Sequence, residues 1–142
     1  MCIICENKNN TQAIINMKKI DCSGCKSLTA VPLLPNLVYL TCRKCPSLTS
    51  ISNLPSLRTL NCSDCYALAS LPAFPSLRIL NCSRCSQLIS IPMLPSLLSL
   101  TCFKCICLCS IPALPNLEAL DCSNCPYLSS LPLFPNMEDL IE

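Results

Sequence analysis

A pair of cysteines in C-x-x-C spacing recurs every twenty residues, as Cys22/Cys25, Cys42/Cys45, Cys62/Cys65, Cys82/Cys85, Cys102/Cys105 and Cys122/Cys125, with no insertion in between. The unit Leu60 to Leu80, LNCSDCYALASLPAFPSLRIL, generalises to L-x-C-x-x-C-x-x-L-x-S-[IL]-P-x-[LF]-P-x-L-x-x. A strict period between 20 and 50 residues marks a solenoid or array, in which each unit buries its apolar face against its neighbours. Seven turns of a twenty-residue unit fill the 142 residues, so a single domain is expected over 1–142. Residues 21–140 are six full repeats, and 1–20 read as a degenerate N-terminal capping coil. Cys2, Cys5, Ile14, Met17 and Ile20 keep the phase there, while Lys8, Gln12 and Ile15 replace the Leu and the two Pro. The end, 137–142, carries Glu138, Asp139 and Glu142, and no separate C-terminal cap is expected after it; charge on an edge strand discourages end-to-end pairing.

Within each unit two conformations alternate. The segment Thr59-Leu60-Asn61-Cys62-Ser63 points its apolar residues to one side and reads as a short strand. Eleven of the thirteen prolines fall in the two columns of Pro72 and Pro75. A proline fixes its own φ, lacks an N–H and restricts the residue before it, so this side of the coil is an extended return, neither helix nor central strand. The inward set of the third full coil is Cys62, Cys65, Leu68, Leu71, Phe74, Leu77 and Leu80, with turns near Ser63-Asp64 and Ser76. The expected fold is a right-handed solenoid with a parallel β-sheet of about seven strands, proline-rich extended returns and little or no helix.

The segment resembles the leucine-rich repeat family, whose L-x-x-L-x-L-x-x-[NC]-x-x-L falls on Leu57, Leu60, Cys62, Cys65 and Leu68. Cys62 stands where that family usually has Leu, and Cys65 where it usually has Asn. The L-P-x-L-P return is similar to the short repeats of bacterial effector proteins, and the whole unit resembles repeats in giant-virus proteins. The resemblance implies a leucine-rich repeat solenoid presenting a concave sheet to a protein partner. The effector proteins with similar repeats also carry a ubiquitin-ligase domain with a catalytic Cys, so the resemblance implies the alternative of a substrate-recognition part, while seven coils over 142 residues are expected to leave no room for such a domain.

Chemistry other than binding finds little support. With no His, the commonest general base is missing, and the lone glycine, Gly24, cannot build a glycine-rich phosphate loop. Asp21 and Asp121 share a column but lie five coils apart, roughly 24 Å at the usual strand spacing, too far for a catalytic pair. No enzyme and no cofactor are therefore expected. A net charge of +2 gives no argument for nucleic acid, and no apolar run is long enough to span a membrane. The first ten residues, MCIICENKNN, lack the basic and apolar regions of a secretory signal, so sixteen cysteines are expected as free thiols in a cytoplasmic, reducing compartment, the host cytoplasm for a viral chain.

C-x-x-C, sixteen residues, C-x-x-C lies within the spacing of a four-cysteine zinc site, which leaves a metal-binding repeat as a further alternative. Two arguments favour a ladder of inward thiols without metal. A site formed by two neighbouring coils pairs them and leaves the alternate gap empty, yet the sequence shows no forty-residue alternation; burial also opposes thiolate formation. Cys107 and Cys109 fall outside the inward columns and are expected to be accessible.

Alternation about the strand leaves three outward lanes as the candidate partner-binding surface. The first runs Tyr39, Thr59, Ile79, Ser99, Ala119; the second Thr41, Asn61, Asn81, Thr101, Asp121; the third Arg43, Ser63, Ser83, Phe103, Ser123. Tyr39, Arg43, Ile79 and Phe103 add aromatic, guanidinium and aliphatic groups to an otherwise small polar surface, and aromatic and Arg groups dominate interface hot spots.

Overall fold

The computed structural model describes all residues, 1–142. Seven strands form one parallel sheet: β1 (Lys19–Asp21), β3 (Tyr39–Thr41), β5 (Thr59–Asn61), β6 (Ile79–Asn81), β7 (Ser99–Thr101), β8 (Ala119–Asp121) and β9 (Asp139–Ile141), in that order. Register advances by twenty residues at every step, as in Leu40 opposite Leu60 and Leu60 opposite Leu80. The chain is thus a solenoid of stacked coils, as the period predicts. No helix is long and apolar enough to cross a membrane.

The strands are short because a turn follows at once, but the ladder of hydrogen bonds continues through that turn. Cys42 N–H donates to the Asn61 carbonyl at 2.9 Å and Lys44 N–H to the Ser63 carbonyl at 2.9 Å, and the pattern repeats from coil to coil. The residue two places after the inward Cys takes a left-handed conformation, Gly24 at φ 74 and Lys44, Asp64, Arg84, Lys104 and Asn124 at φ 54 to 59, and all of these but Asn124 make the second bond. A second turn follows at Tyr66 and Ala67, beyond the two that the sequence suggests.

On the return side a second, two-stranded parallel sheet pairs β2 (Ala30–Val31) with β4 (Ser50–Ile51). Its presence follows from one substitution. Ser52 occupies the column of Pro32, Pro72, Pro92 and Pro112, and its N–H donates to the Val31 carbonyl at 2.9 Å. Where proline stands instead there is no N–H to give, and only an isolated bridge, Ser90 with Ser110, appears. The carbonyls at the second proline column are met by side chains from the next coil: Ser96 Oγ to Pro75 at 3.0 Å, Asn116 Nδ2 to Pro95 at 2.8 Å and Asn136 Nδ2 to Pro115 at 3.2 Å.

One contiguous core runs the length of the stack, and the inward set Cys62, Cys65, Leu68, Leu71, Phe74, Leu77 and Leu80 is buried as expected. The ends depart from it. At the C-terminal edge of the stack Leu128, Leu131, Phe134 and Met137 are only half-buried and Leu140, on the edge strand β9, is exposed. Likewise Cys125, although in an inward column, is half-buried. The first coil keeps Ile14 and Ile20 in the core, but its cysteine pair does not follow the phase: a short helix, α1 (Ile3–Glu6), replaces the strand end and turn, buries Ile4, and leaves Cys2 and Cys5 half-buried.

Candidate partner-binding face and the thiol ladder

All three lanes lie where the strands and the first turn place them, side by side across the sheet, but the lanes differ in what their side chains are free to do. In the first, Tyr39 and Ile79 are 49% and 48% exposed, with Thr59, Ser99 and Ala119 half-buried between and beyond them. Large side chains thus alternate with small ones. Towards the C-terminal end, Ser99, Thr101, Ala119, Asp121, Asp139 and Ile141 line a depression of about 260 Å³ over β7, β8 and β9.

In the second lane the polar groups are turned back on their own backbone. Asn61 Oδ1 accepts from Ser63 N–H at 3.1 Å, Asn81 Oδ1 from Ser83 N–H at 3.0 Å, and Asp121 Oδ1 from both the N–H and the hydroxyl of Ser123, at 3.1 and 2.6 Å. Asn and Asp side chains close such turns two residues on, so part of this lane fixes the strand-to-turn junction. Asp21 does the same with Ser23, whose side chain and then backbone hold its carboxyl below the usual range. Thr41 and Thr101 are half-buried.

The third lane contains a correction and a cluster. Ser63, read from alternation as outward and available, is only 6% exposed, and its neighbour Asp64 only 5%. Arg43 is exposed, and Ser83, Phe103 and Ser123 are half-buried. Asp64 Oδ1 accepts from Arg84 Nη1 at 3.4 Å and from the Tyr66 hydroxyl at 3.4 Å. The Arg84 guanidinium lies 5.7 Å from the centre of the Phe103 ring, and the Lys104 ammonium lies 5.7 Å from the same ring. A positively charged group near an aromatic face is attracted by the ring's quadrupole. One buried acid therefore anchors a cation that packs on a half-buried aromatic, across three successive coils. Tyr66, Asp64, Arg84 and Lys104 lie outside the lanes that alternation defines, and Asp64, Arg84 and Lys104 share the left-handed column, which the sequence does not mark at those positions.

Inside the stack, the second cysteine of each pair donates its thiol to the carbonyl of the first cysteine in the preceding coil. Cys45 reaches Cys22 at 3.2 Å, Cys65 reaches Cys42 at 3.0 Å, and Cys85, Cys105 and Cys125 reach Cys62, Cys82 and Cys102 at 3.1 Å each. Burial pushes the Cys45 and Cys122 thiols up to about 11, which keeps them protonated at neutral pH and leaves Cys45 able to donate. Cys107 is half-buried and Cys109 exposed, as their phase suggests, and Cys109 Sγ donates to the Ile89 carbonyl at 3.3 Å. No family model, curated protein or solved structure matches this chain.

Proposed function

We propose that this chain is a noncatalytic protein-interaction module of the leucine-rich repeat type, which docks a protein partner on the outward face of its parallel sheet and the adjoining left-handed turn. The observation that carries the reading is Phe103, held half-buried with the Arg84 guanidinium and the Lys104 ammonium each 5.7 Å from its ring centre. Asp64, itself buried, gives Arg84 a charge partner at 3.4 Å beside the aromatic, which favours the cation's placement over Phe103 before a partner docks. Tyr39 and Ile79 each add an apolar anchor to the same face, and the depression over β7 to β9 gives a partner side chain somewhere to go. Arg43, Lys44, Arg84 and Lys104 along one edge favour a partner segment that carries carboxylates beside an apolar residue. The absence of histidine and the burial of most thiols support a noncatalytic role.

Selection of a displayed peptide library on the full-length protein yields ligands whose affinity for variants tests the face. Tyr39→Ala and Phe103→Ala are expected to weaken binding by about 1 to 2 kcal/mol, the range for interface anchors, with an unchanged unfolding curve. Ala73→Glu and Ala113→Glu, on the proline-rich return, are expected to leave affinity as it was. The opposite pattern places the binding surface on the return and sinks the assignment.

A further inference from the structure

The first cysteine pair breaks the rule that the other pairs obey, and the break has a chemical consequence. In the interior, each second-column thiol points at a carbonyl of the coil before it. At the N-terminal end, thiols face thiols: Cys5 Sγ lies 3.7 Å from Cys2 Sγ and 3.6 Å from Cys25 Sγ, and all three sulfur atoms fall within 4.8 Å of one another. No other trio of potential ligating groups in the chain comes so close.

Local structure accounts for the difference. Cys2 is the residue that opens α1 and Cys5 lies within it, so C-x-x-C becomes an i, i+3 pair on one side of a helical turn, where the later pairs span a strand end and a left-handed turn. Cys25 then meets that pair from the second coil. Three thiolates bound tetrahedrally to zinc at about 2.3 Å stand about 3.8 Å apart, and the two sulfur separations at Cys5 are close to that edge. Beside the trio, Cys2, Asp21, Cys22 and Cys25 line a cavity of about 240 Å³, which gives a fourth ligand a place to stand. Cys22 is buried beneath that cavity and lines it together with Cys2 and Cys25.

We propose that the N-terminal cap holds a single thiophilic divalent cation, Zn²⁺ by preference, bound by Cys2, Cys5 and Cys25, with the fourth position of the tetrahedron open to the adjoining cavity. Periodicity speaks against zinc only in the equivalent gaps between full coils, and this gap is the one in which the coils are not equivalent. A metal here ties α1 to the first full coil. Binding releases the thiol protons to solvent and changes no oxidation state.

The test is a titration of the full-length protein, stripped with a chelator and kept reduced with a phosphine, with Co²⁺ as a spectroscopic probe and Zn²⁺ as competitor. The expected result is sulfur-to-cobalt charge-transfer absorption with the visible bands of a tetrahedral ion, saturating at one equivalent and erased by Zn²⁺. Cys5→Ser is expected to abolish these bands while Cys105→Ser, in the interior ladder, keeps them. Cys5 is half-buried, so its variant is expected to fold, which the sheet signal in circular dichroism checks directly. A folded Cys5→Ser protein that still gives the bands overturns the site, as does saturation at several equivalents. A reduced wild-type protein that binds no Co²⁺, with Cys5 found in a disulfide to Cys2 or Cys25 after exposure to air, overturns it equally.

Discussion

The Cys65 thiol donates to the carbonyl oxygen of Cys42, 3.0 Å away and 23 residues earlier, and the same bond recurs in every interior gap. A cysteine in this column is therefore more than a small apolar filler, because it satisfies a carbonyl that the coil turns inward. Cys65→Ala is expected to cost about 2 kcal/mol, since it leaves a buried acceptor without its partner and opens a small void. Cys109→Ala removes a thiol-to-carbonyl bond of similar length, 3.3 Å to Ile89, from an exposed position where water takes its place. That variant is expected to stay within about 0.5 kcal/mol of the parent. Urea unfolding of the two proteins compares the same chemistry with and without burial, and equal losses would contradict the role given to Cys65.

The column that begins with Gly24 offers a test of backbone strain. Lys44 adopts φ 54 with its side chain exposed, and a non-glycine residue in the left-handed region costs on the order of 1 kcal/mol relative to glycine. Lys44→Gly is expected to raise stability by about 0.5 kcal/mol, the relief of strain being partly offset by the freedom glycine gains in the unfolded chain. Gly24→Ala is expected to lower it by about 1 kcal/mol, even though nothing lies within 4 Å of the added Cβ. Chemical denaturation of both variants decides, and a neutral Gly24→Ala would remove backbone conformation as the cause.

The stacking direction, the strand column and the inward residues were legible from periodicity alone, because a column such as Leu40, Leu60, Leu80 admits no second phase. The left-handed column was not, since Lys44, Asp64, Arg84 and Lys104 carry no glycine signal and only the coordinates show their positive φ and the N–H bond each makes to the next coil. Alternation placed Ser63 outside, yet it is buried, whereas Ser83, Phe103 and Ser123 at the same turn position of later coils are half-buried and Arg43 is exposed, so position in the repeat alone does not set the exposure. The cysteine phase of the first coil was visible, but a helix from Ile3 to Glu6 redirects those side chains, and no column of the repeat encodes it. For the proposed partner face, sequence singled out Tyr39, Arg43, Ile79 and Phe103 as unusual groups; the charge partner of Arg84 required coordinates, because Asp64 and Arg84 are twenty residues apart.

Thiol reactivity separates the inward columns from the rest. Eleven cysteines are buried, Cys2, Cys5, Cys107 and Cys125 are half-buried, and Cys109 is exposed. Labelling of the native, metal-free protein is expected to modify Cys109 first and then the four half-buried thiols, while the eleven react only after denaturation. Mass analysis after proteolysis assigns each site. Early modification of Cys62 or Cys82 in folded protein would contradict their inward orientation.

The cost of one substitution repeated along a column measures how far each coil depends on the next. Leu60, Leu80 and Leu100 are at most 1% exposed, each covered by a coil on either side, whereas Leu140 is 43% exposed at the open edge of β9. Leu80→Ala removes a side chain from a core with little room to relax and is expected to cost about 3 kcal/mol. Leu140→Ala removes one that is already half in water, and is expected to cost under about 1 kcal/mol. In a stack whose coils touch only their neighbours, unfolding from the C-terminal end is the easiest excursion, and Leu140→Ala is expected to act on that local opening more than on the whole. Hydrogen exchange provides the resolution: Leu80→Ala lowers protection throughout the seven-stranded sheet, while Leu140→Ala lowers it in β8 and β9 alone. Equal loss of protection at Leu40 and Leu120 amides in the Leu140→Ala protein would show that the chain opens as one unit, and nearest-neighbour stacking would then no longer describe its stability.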